Sequence, residues 1–148
     1  MFETIVWATD GSELADRALP LVTELARVHD SRIVAVHANE LLQGRFGGAP
    51  MLADEDDVRS RIGKQVEDLR AAGFTADLRV ETGSRHTPAQ LIAAAAAEVD
   101  ADLIVVGTHG RGAVATAMLG SVTKSLLHVA QCPVLAITPV RERVEALA

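Results

Sequence analysis

Five short runs rich in Val, Ile and Leu recur along the chain, at Thr4–Ala8, Arg32–Ala38, Thr75–Val80, Asp102–Val106 and Pro133–Thr138. Each has the length of a strand. The stretches between them are of helix length, and alternation of this kind builds βαβ units around a mostly parallel sheet. Leu103-Ile-Val-Val106 and Val134-Leu-Ala-Ile137 carry no polar alternation, as in strands covered on both faces.

The spacing predicts a first helix from about Glu13 to Val28, with Leu14, Ala18, Leu21, Val22 and Leu25 as its apolar stripe and Asp10 and Ser12 marking its start. A second runs from about Asp54 to Ala72, where Val58, Ile62, Val66 and Leu69 repeat at helical spacing and Gly73 supplies the stop. The third opens on a capping box, with Thr87 as N-cap, Pro88 at the first helical position and Gln90 reaching back. Its Ala93–Ala97 run suits close approach to the sheet or a neighbouring subunit, and equally a plain surface helix of high propensity. A fourth helix runs from near Ser121 to near Gln131. Asn39–Ala53 breaks the pattern: it is long for a connection and holds Gly44, Gly47, Gly48 and Pro50, which predicts a mobile segment or lid. Its Leu41, Leu42, Phe46 and Met51 suit transient docking, and a loosely packed loop is the plainer reading. The charged stretch Arg141–Ala148 reads as a frayed tail.

Composition narrows the function. With 148 residues, 49% of them hydrophobic, the sequence reads as a single domain over residues 1–148 that needs no disulfide or structural metal. Fourteen Lys and Arg against twenty Asp and Glu leave a net charge of −6, which disfavours nucleic acid and anionic membranes as partners. Cys132 is alone, so no intrachain disulfide forms; a single cysteine beside Pro133 in an apolar run reads as buried and inert, in a reducing, cytoplasmic protein. No export signal is expected, and no uncharged run reaches the roughly 18–20 residues of a membrane span. Aromatics make up 3% of the chain, too few for base-stacking surfaces or a clamped flavin.

In an open parallel sheet, ligands sit beyond the carboxyl ends of the strands, where connections leave toward opposite faces. Two segments qualify: Ala8-Thr9-Asp10-Gly11-Ser12 after the first strand, and Gly107-Thr108-His109-Gly110-Arg111-Gly112, continuing to Gly120-Ser121-Val122-Thr123, after the fourth. The glycines allow successive N–H groups to point into one concavity, and the fourth helix begins where such a loop returns. Unsatisfied N–H groups and the positive dipole end there favour an anion, with the Ser121 and Thr123 hydroxyls as further donors. Both halves could grip one polyphosphate; on the residues alone, turn-forming glycines with Ser121 as a simple cap fit as well.

Other fingerprints fit less. The chain has no G-x-x-x-x-G-K-[ST], and Gly110-Arg111-Gly112-Ala113-Val114-Ala115 meets a relaxed dinucleotide pattern after the wrong strand, with no acid near Cys132–Val134 for a ribose. Asp10 has the alternative role of helix cap, with Glu13 completing a box. His109, Arg111 and Lys124 read either as phosphate partners or as solvated side chains, and His37 as a partly buried core residue. His29, His86 and His128 have no metal-ligand spacing. There is no G-x-S-x-G elbow and no converging acid pair, so no catalytic residue is assigned.

Gly107-x2-Gly110-x9-Gly120-Ser121 matches the G-2x-G-9x-G-[ST] motif of the universal stress protein family, and Thr9-Asp10-Gly11-Ser12 resembles its N-terminal signature. Together with the strand alternation and Cys132–Ile137, the resemblance covers essentially the whole chain. It implies an open five-stranded parallel sheet of Rossmann-like α/β class in the order 3-2-1-4-5, with Asp10 opposite Gly107. Members that keep the motif bind ATP. Carried over, Ala8, Thr9 and Asp10 face the adenosine, and Ala38 meets adenine through its main chain. Gly107, Thr108, His109, Gly110, Arg111, Gly112 and Ala113 wrap ribose and phosphates, and Gly120, Ser121, Val122 and Thr123 hold phosphates, with Mg²⁺ arriving on the nucleotide. Trp7-Ala8 departs from members with Pro or another small residue before the Thr-Asp pair.

The resemblance implies a cytoplasmic, ATP-binding stress-response and regulatory protein. The alternatives are a slow ATPase or self-phosphorylating enzyme using the same pocket, with Ser121 or Thr123 as acceptor, and a structural dimer whose glycine loop is empty. A homodimer through the edge run Pro133–Thr138 is expected in each case.

Overall fold

The computed structural model describes residues 1–40, 49–108 and 119–138. The strands are β1 (Thr4–Ala8), β2 (Arg32–Glu40), β3 (Ala76–Gly83), β4 (Leu103–Gly107) and β5 (Val134–Ile137). All pair in parallel, in the order β3-β2-β1-β4-β5 that the resemblance implied. The helices are α1 (Glu13–Asp16), α2 (Leu19–His29), α3 (Ala49–Ala71), α4 (Pro88–Glu98) and α5 (Ser121–Val129).

Alternate strand residues feed two cores. Ile5, Trp7, Ile33 and Val105 pack with Val22 of α2 and with Ile62 and Val66 of α3. Val6, Val34, Val36 and Ile104 pack on the other face with Ile92 and Ala96 of α4 and Leu126 of α5. Of the Ala93–Ala97 run in α4, Ala95 and Ala96 are buried in this core, whereas Ala94 and Ala97 are exposed. The central strands therefore have no solvent face, which accounts for their unbroken apolar sequence.

Several elements depart from the sequence expectation. The first helix is split into α1 and α2, because Pro20 has no N–H to give the Asp16 carbonyl and its ring would crowd that carbonyl. α3 begins at Ala49, ahead of the expected Asp54, and β2 runs on through Asn39 and Glu40, paired with Thr82 and Gly83. Residues 41–48 of the expected lid lie outside the described residues, as does the 141–148 tail. Pro50 is the second residue of α3, where the first turn has no use for its missing N–H. The capping box at Thr87 and Gln90 forms as expected. α5 stops at Val129, two residues short of Gln131, as Ala130 turns extended.

The amino-terminal end of the sheet is tied down by side chains. Asp102 accepts from the N–H groups of Glu3 (2.7 Å) and Thr4 (2.9 Å), and the Ser31 hydroxyl donates to the Phe2 carbonyl. These ties fix the β1–β4 register, so that Ala8 ends beside Val106. The two sheet edges differ. β3 carries Asp77, Arg79 and Glu81, with Arg32–Asp77 and Arg79–Glu81 pairs at 2.9 Å. β5 is Val-Leu-Ala-Ile, uncharged and half-buried throughout.

Cys132, just before β5, is half-buried rather than buried. Burial, with the Asp102 charge adding, pushes its thiol up from the ordinary value. The thiolate is the reactive form, so alkylation by iodoacetamide at neutral pH is expected to be slower than for an unstructured cysteine peptide and to recover as pH rises. Mass spectrometry against time at several pH values checks this.

Candidate functional site

β1 and β4 are neighbours, but the chain leaves β1 toward the α2 and α3 layer and β4 toward the α4 and α5 layer. This is a topological switch point, where the carboxyl ends of adjacent strands leave a crevice.

On the β1 side, Thr9 donates its N–H to the Val36 carbonyl (3.0 Å) and accepts at Oγ1 from the Gly11 N–H (3.1 Å). Asp10 accepts at Oδ1 from the Ser12 N–H (2.9 Å). The N-cap of α1 is Ser12, whose Oγ accepts from the Ala15 N–H at 3.2 Å, so the alternative role of Asp10 as helix cap is not the one found. The turn needs glycine at position 11: its φ is +76°, and an added Cβ would lie 3.0 Å from Val58 Cγ1.

On the β4 side, the Thr108 N–H donates to the Ile137 carbonyl (2.9 Å) and the Gly120 N–H to the Thr108 carbonyl (2.7 Å). The second contact sets the head of α5 against the end of β4. His109, Gly110, Arg111, Gly112 and Ala113 lie outside the described residues. Gly120 is the N-cap of α5 and offers no side-chain oxygen, so the first-turn N–H groups at Ser121, Val122 and Thr123 receive no side-chain cap. Such a helix start attracts an anion.

Thr123 corrects an expectation. Its hydroxyl was expected to point at phosphate; instead it is 2% exposed and donates to the Gly107 carbonyl at 2.9 Å. It braces β4 to α5, while Ser121 is exposed.

Ala38 sits where β2 outruns β1. The Val36 carbonyl points toward β1, and the two-residue alternation of a strand turns the N–H and C=O of Ala38 to the same side, beyond the end of β1 at Ala8. An adenine edge could meet them there.

The sequence reading missed the role of His37. Expected as a partly buried core residue, it is buried, at 5% exposure, and both ring nitrogens face oxygen: Nδ1 lies 3.0 Å from the Thr9 carbonyl and Nε2 2.7 Å from Glu55 Oε1. Arg59 Nε lies 3.4 Å from the same carboxylate oxygen. A polar residue at the carboxyl end of the second strand was the available signal, but nothing in the sequence paired it with Glu55. Among the described residues no group of three or more His, Cys, Asp or Glu side chains could hold a metal ion, and no helix is long and apolar enough to cross a membrane.

A family model described as the universal stress protein family matches residues 1–138. A universal stress protein from Thermus aquaticus is 36% identical over 143 residues, spanning 93% of this chain and 99% of that one. A universal stress protein solved in complex with cAMP superposes with a TM-score of 0.61 at 27% identity, over 92% of this chain and 96% of that one. One from Archaeoglobus fulgidus, in complex with dAMP, gives 0.67 at 25% identity, over 93% and 98%.

Proposed function

This chain belongs to the universal stress protein family, and from that footing we propose that it is an ATP-binding member, a cytoplasmic stress-response and regulatory protein. The observation that carries the reading is the head of α5: three first-turn N–H groups without a side-chain cap, held against the end of β4 at the switch point. Adenine nucleotides bound by two relatives of similar fold support the ligand class. Ala8, Thr9 and Asp10 line the adenosine side and the Ala38 main chain meets adenine. Gly107–Ala113 surrounds ribose and phosphates, and the N–H groups at Ser121, Val122 and Thr123 take the phosphate charge. Mg²⁺ comes with the phosphates.

ATP at roughly 100 times its dissociation constant should stabilise the protein by about 2.7 kcal/mol and raise its melting temperature. Gly110→Val is expected to weaken binding by roughly tenfold or more, about 1.4 kcal/mol, because a β-branched side chain narrows the backbone conformations open to the loop and would fill the phosphate's approach to backbone. Equal affinity of wild type and a folded variant by calorimetry would put the cradle elsewhere, and no binding by either would leave the glycine loop empty.

The exposure of Ser121 supports a second reading, self-phosphorylation or slow hydrolysis in the same pocket. Of the two acceptors, Ser121 is the accessible one, whereas the Thr123 hydroxyl is buried and donates to the Gly107 carbonyl. Phosphopeptide mapping after incubation with ATP, beside steady-state phosphate release, separates it from simple binding.

The uncharged β5 edge supports a homodimer. The Pro133 and Ile137 carbonyls face β4, so the polar backbone groups of Val134 and Ala136 point outward. Ala136→Pro therefore removes an outward N–H and no inner ladder bond. Light scattering at micromolar concentration should give a dimer for wild type and a monomer for the variant; a monomeric wild type removes the proposal.

A further inference from the structure

We propose that His37 is a positioning residue for the nucleotide site, locking the Thr9–Asp10 turn to α3 only while its ring carries both protons. The effect on affinity rests on the nucleotide-binding reading above; the lock itself does not.

Nδ1 faces the Thr9 carbonyl at 3.0 Å and Nε2 faces Glu55 Oε1 at 2.7 Å. A carbonyl has no proton to give, and neither has an ionised carboxylate. A neutral imidazole owns one N–H and serves one of these acceptors, leaving the other nitrogen lone pair against an oxygen lone pair. The imidazolium serves both, and with ionised Glu55 the buried pair is neutral overall. Arg59 of α3 lies 3.4 Å from Glu55 Oε1, and Asp10 follows Thr9 in the turn beyond β1, where its carboxylate accepts from the Ser12 N–H. β3 places Val80 at the register position of His37, and Trp7 precedes the site on β1, both uncharged.

The geometry joins three elements of the site. Thr9 is followed by the Asp10–Ser12 turn, β2 carries His37 next to Ala38, and Glu55 stands on α3, whose Val58 packs under Gly11. Loss of the ring proton to solvent breaks one of the two bonds and leaves Glu55 with Arg59 alone as its counter-charge. The proton-bound form is the locked form, so the lock loosens as pH rises and the ring gives up its proton, and tightens as pH falls.

The test uses the full-length ¹⁵N-labelled protein. Ring nitrogen shifts follow His37 protonation, hydrogen-exchange protection factors at the Gly11 and Ser12 amides follow the turn, and calorimetry follows ATP affinity, all against pH. Protection and affinity should fall together as the ring loses its proton, the affinity by about fivefold to tenfold, as expected for one ordinary hydrogen bond. His37→Asn places an amide N–H where Nδ1 was and cannot reach Glu55; His37→Gln reaches toward Glu55 and not Thr9. Neither titrates, so both should lose the pH dependence, and Asn should protect Gly11 and Ser12 better than Gln. Glu55→Gln keeps the shape but removes the counter-charge, and should move the fall in protection to lower pH. That variant serves if the His37 variants do not fold. A ring that is neutral wherever the protein is folded overturns the proposal, and so does flat protection while the ring titrates. If ATP fails to bind at any pH, the nucleotide reading falls, and the protection factors still decide the lock.

Discussion

Trp7→Ala is expected to cost about 3–5 kcal/mol of unfolding free energy, because it deletes the largest fully buried side chain of the molecule and leaves a cavity between β1 and the α2 and α3 layer. Domains of this size have about 5–15 kcal/mol in total, so the variant should stand near the limit of folding at ambient temperature. A polar contact goes as well. The indole Nε1–H donates to the Ala15 carbonyl at 3.2 Å, which holds α1 down over the end of β1. Trp7→Phe separates the two contributions: it keeps most of the volume, and the Ala15 carbonyl retains the Ala18 N–H as a partner, so its loss should come nearer to about 1 kcal/mol plus a small packing defect. Urea melts read by circular dichroism give the comparison, since Trp7 is the single tryptophan and its fluorescence disappears with it. Equal costs for both variants would mean that the N–H, and not the volume, matters.

Gly11→Val should cost about 2–4 kcal/mol, from two sources acting together. At φ +76° a β-branched residue is strained wherever its side chain points. Its Cβ would also begin 3.0 Å from Val58 Cγ1, so α3 must move or the turn must open. Either response shifts Asp10, and the variant should lose ATP affinity beyond what its stability explains. Gly11→Ala combined with Val58→Ala tests the steric part. If contact with Val58 is the obstacle, the double variant is less destabilised than the sum of the singles. Additive costs would assign the effect to backbone strain alone.

Much of the architecture was legible because each strand announces itself twice, as an apolar run and by the helix signals that flank it. The capping box at Thr87 and the glycine stop at Gly73 are local chemistry, and local chemistry is readable from neighbours in sequence. The errors have local causes too. Pro20 lies inside a convincing apolar stripe, and the stripe outweighed the missing N–H in the prediction. Pro50 and its glycine neighbours read as loop, although proline in a first turn is ordinary. At the site, Thr9, Asp10 and the Gly120–Thr123 helix start stand at the switch point, as their place after strands implied. What sequence could not deliver is pairing across distance. Nothing near Thr123 indicates that its hydroxyl is given to Gly107, sixteen residues back, and nothing near His37 points to Glu55, eighteen residues on.

The unlike edges of the sheet bear on how far any assembly can grow. A copy adding to β5 about a two-fold axis consumes both β5 edges at once and leaves β3 outermost on each side, with its alternating charges at the rim. The ribbon would then hold ten strands, twice the five of one chain, and meet a third chain only with ionic flanks. In such a pairing strand addition would terminate itself at two copies: polymerisation through the sheet would be arrested by the composition of the far edge, with no need for a separate stopper. Neutralising Asp77 and Arg79 would remove that arrest, and the same chain would then have the geometry of an open fibre.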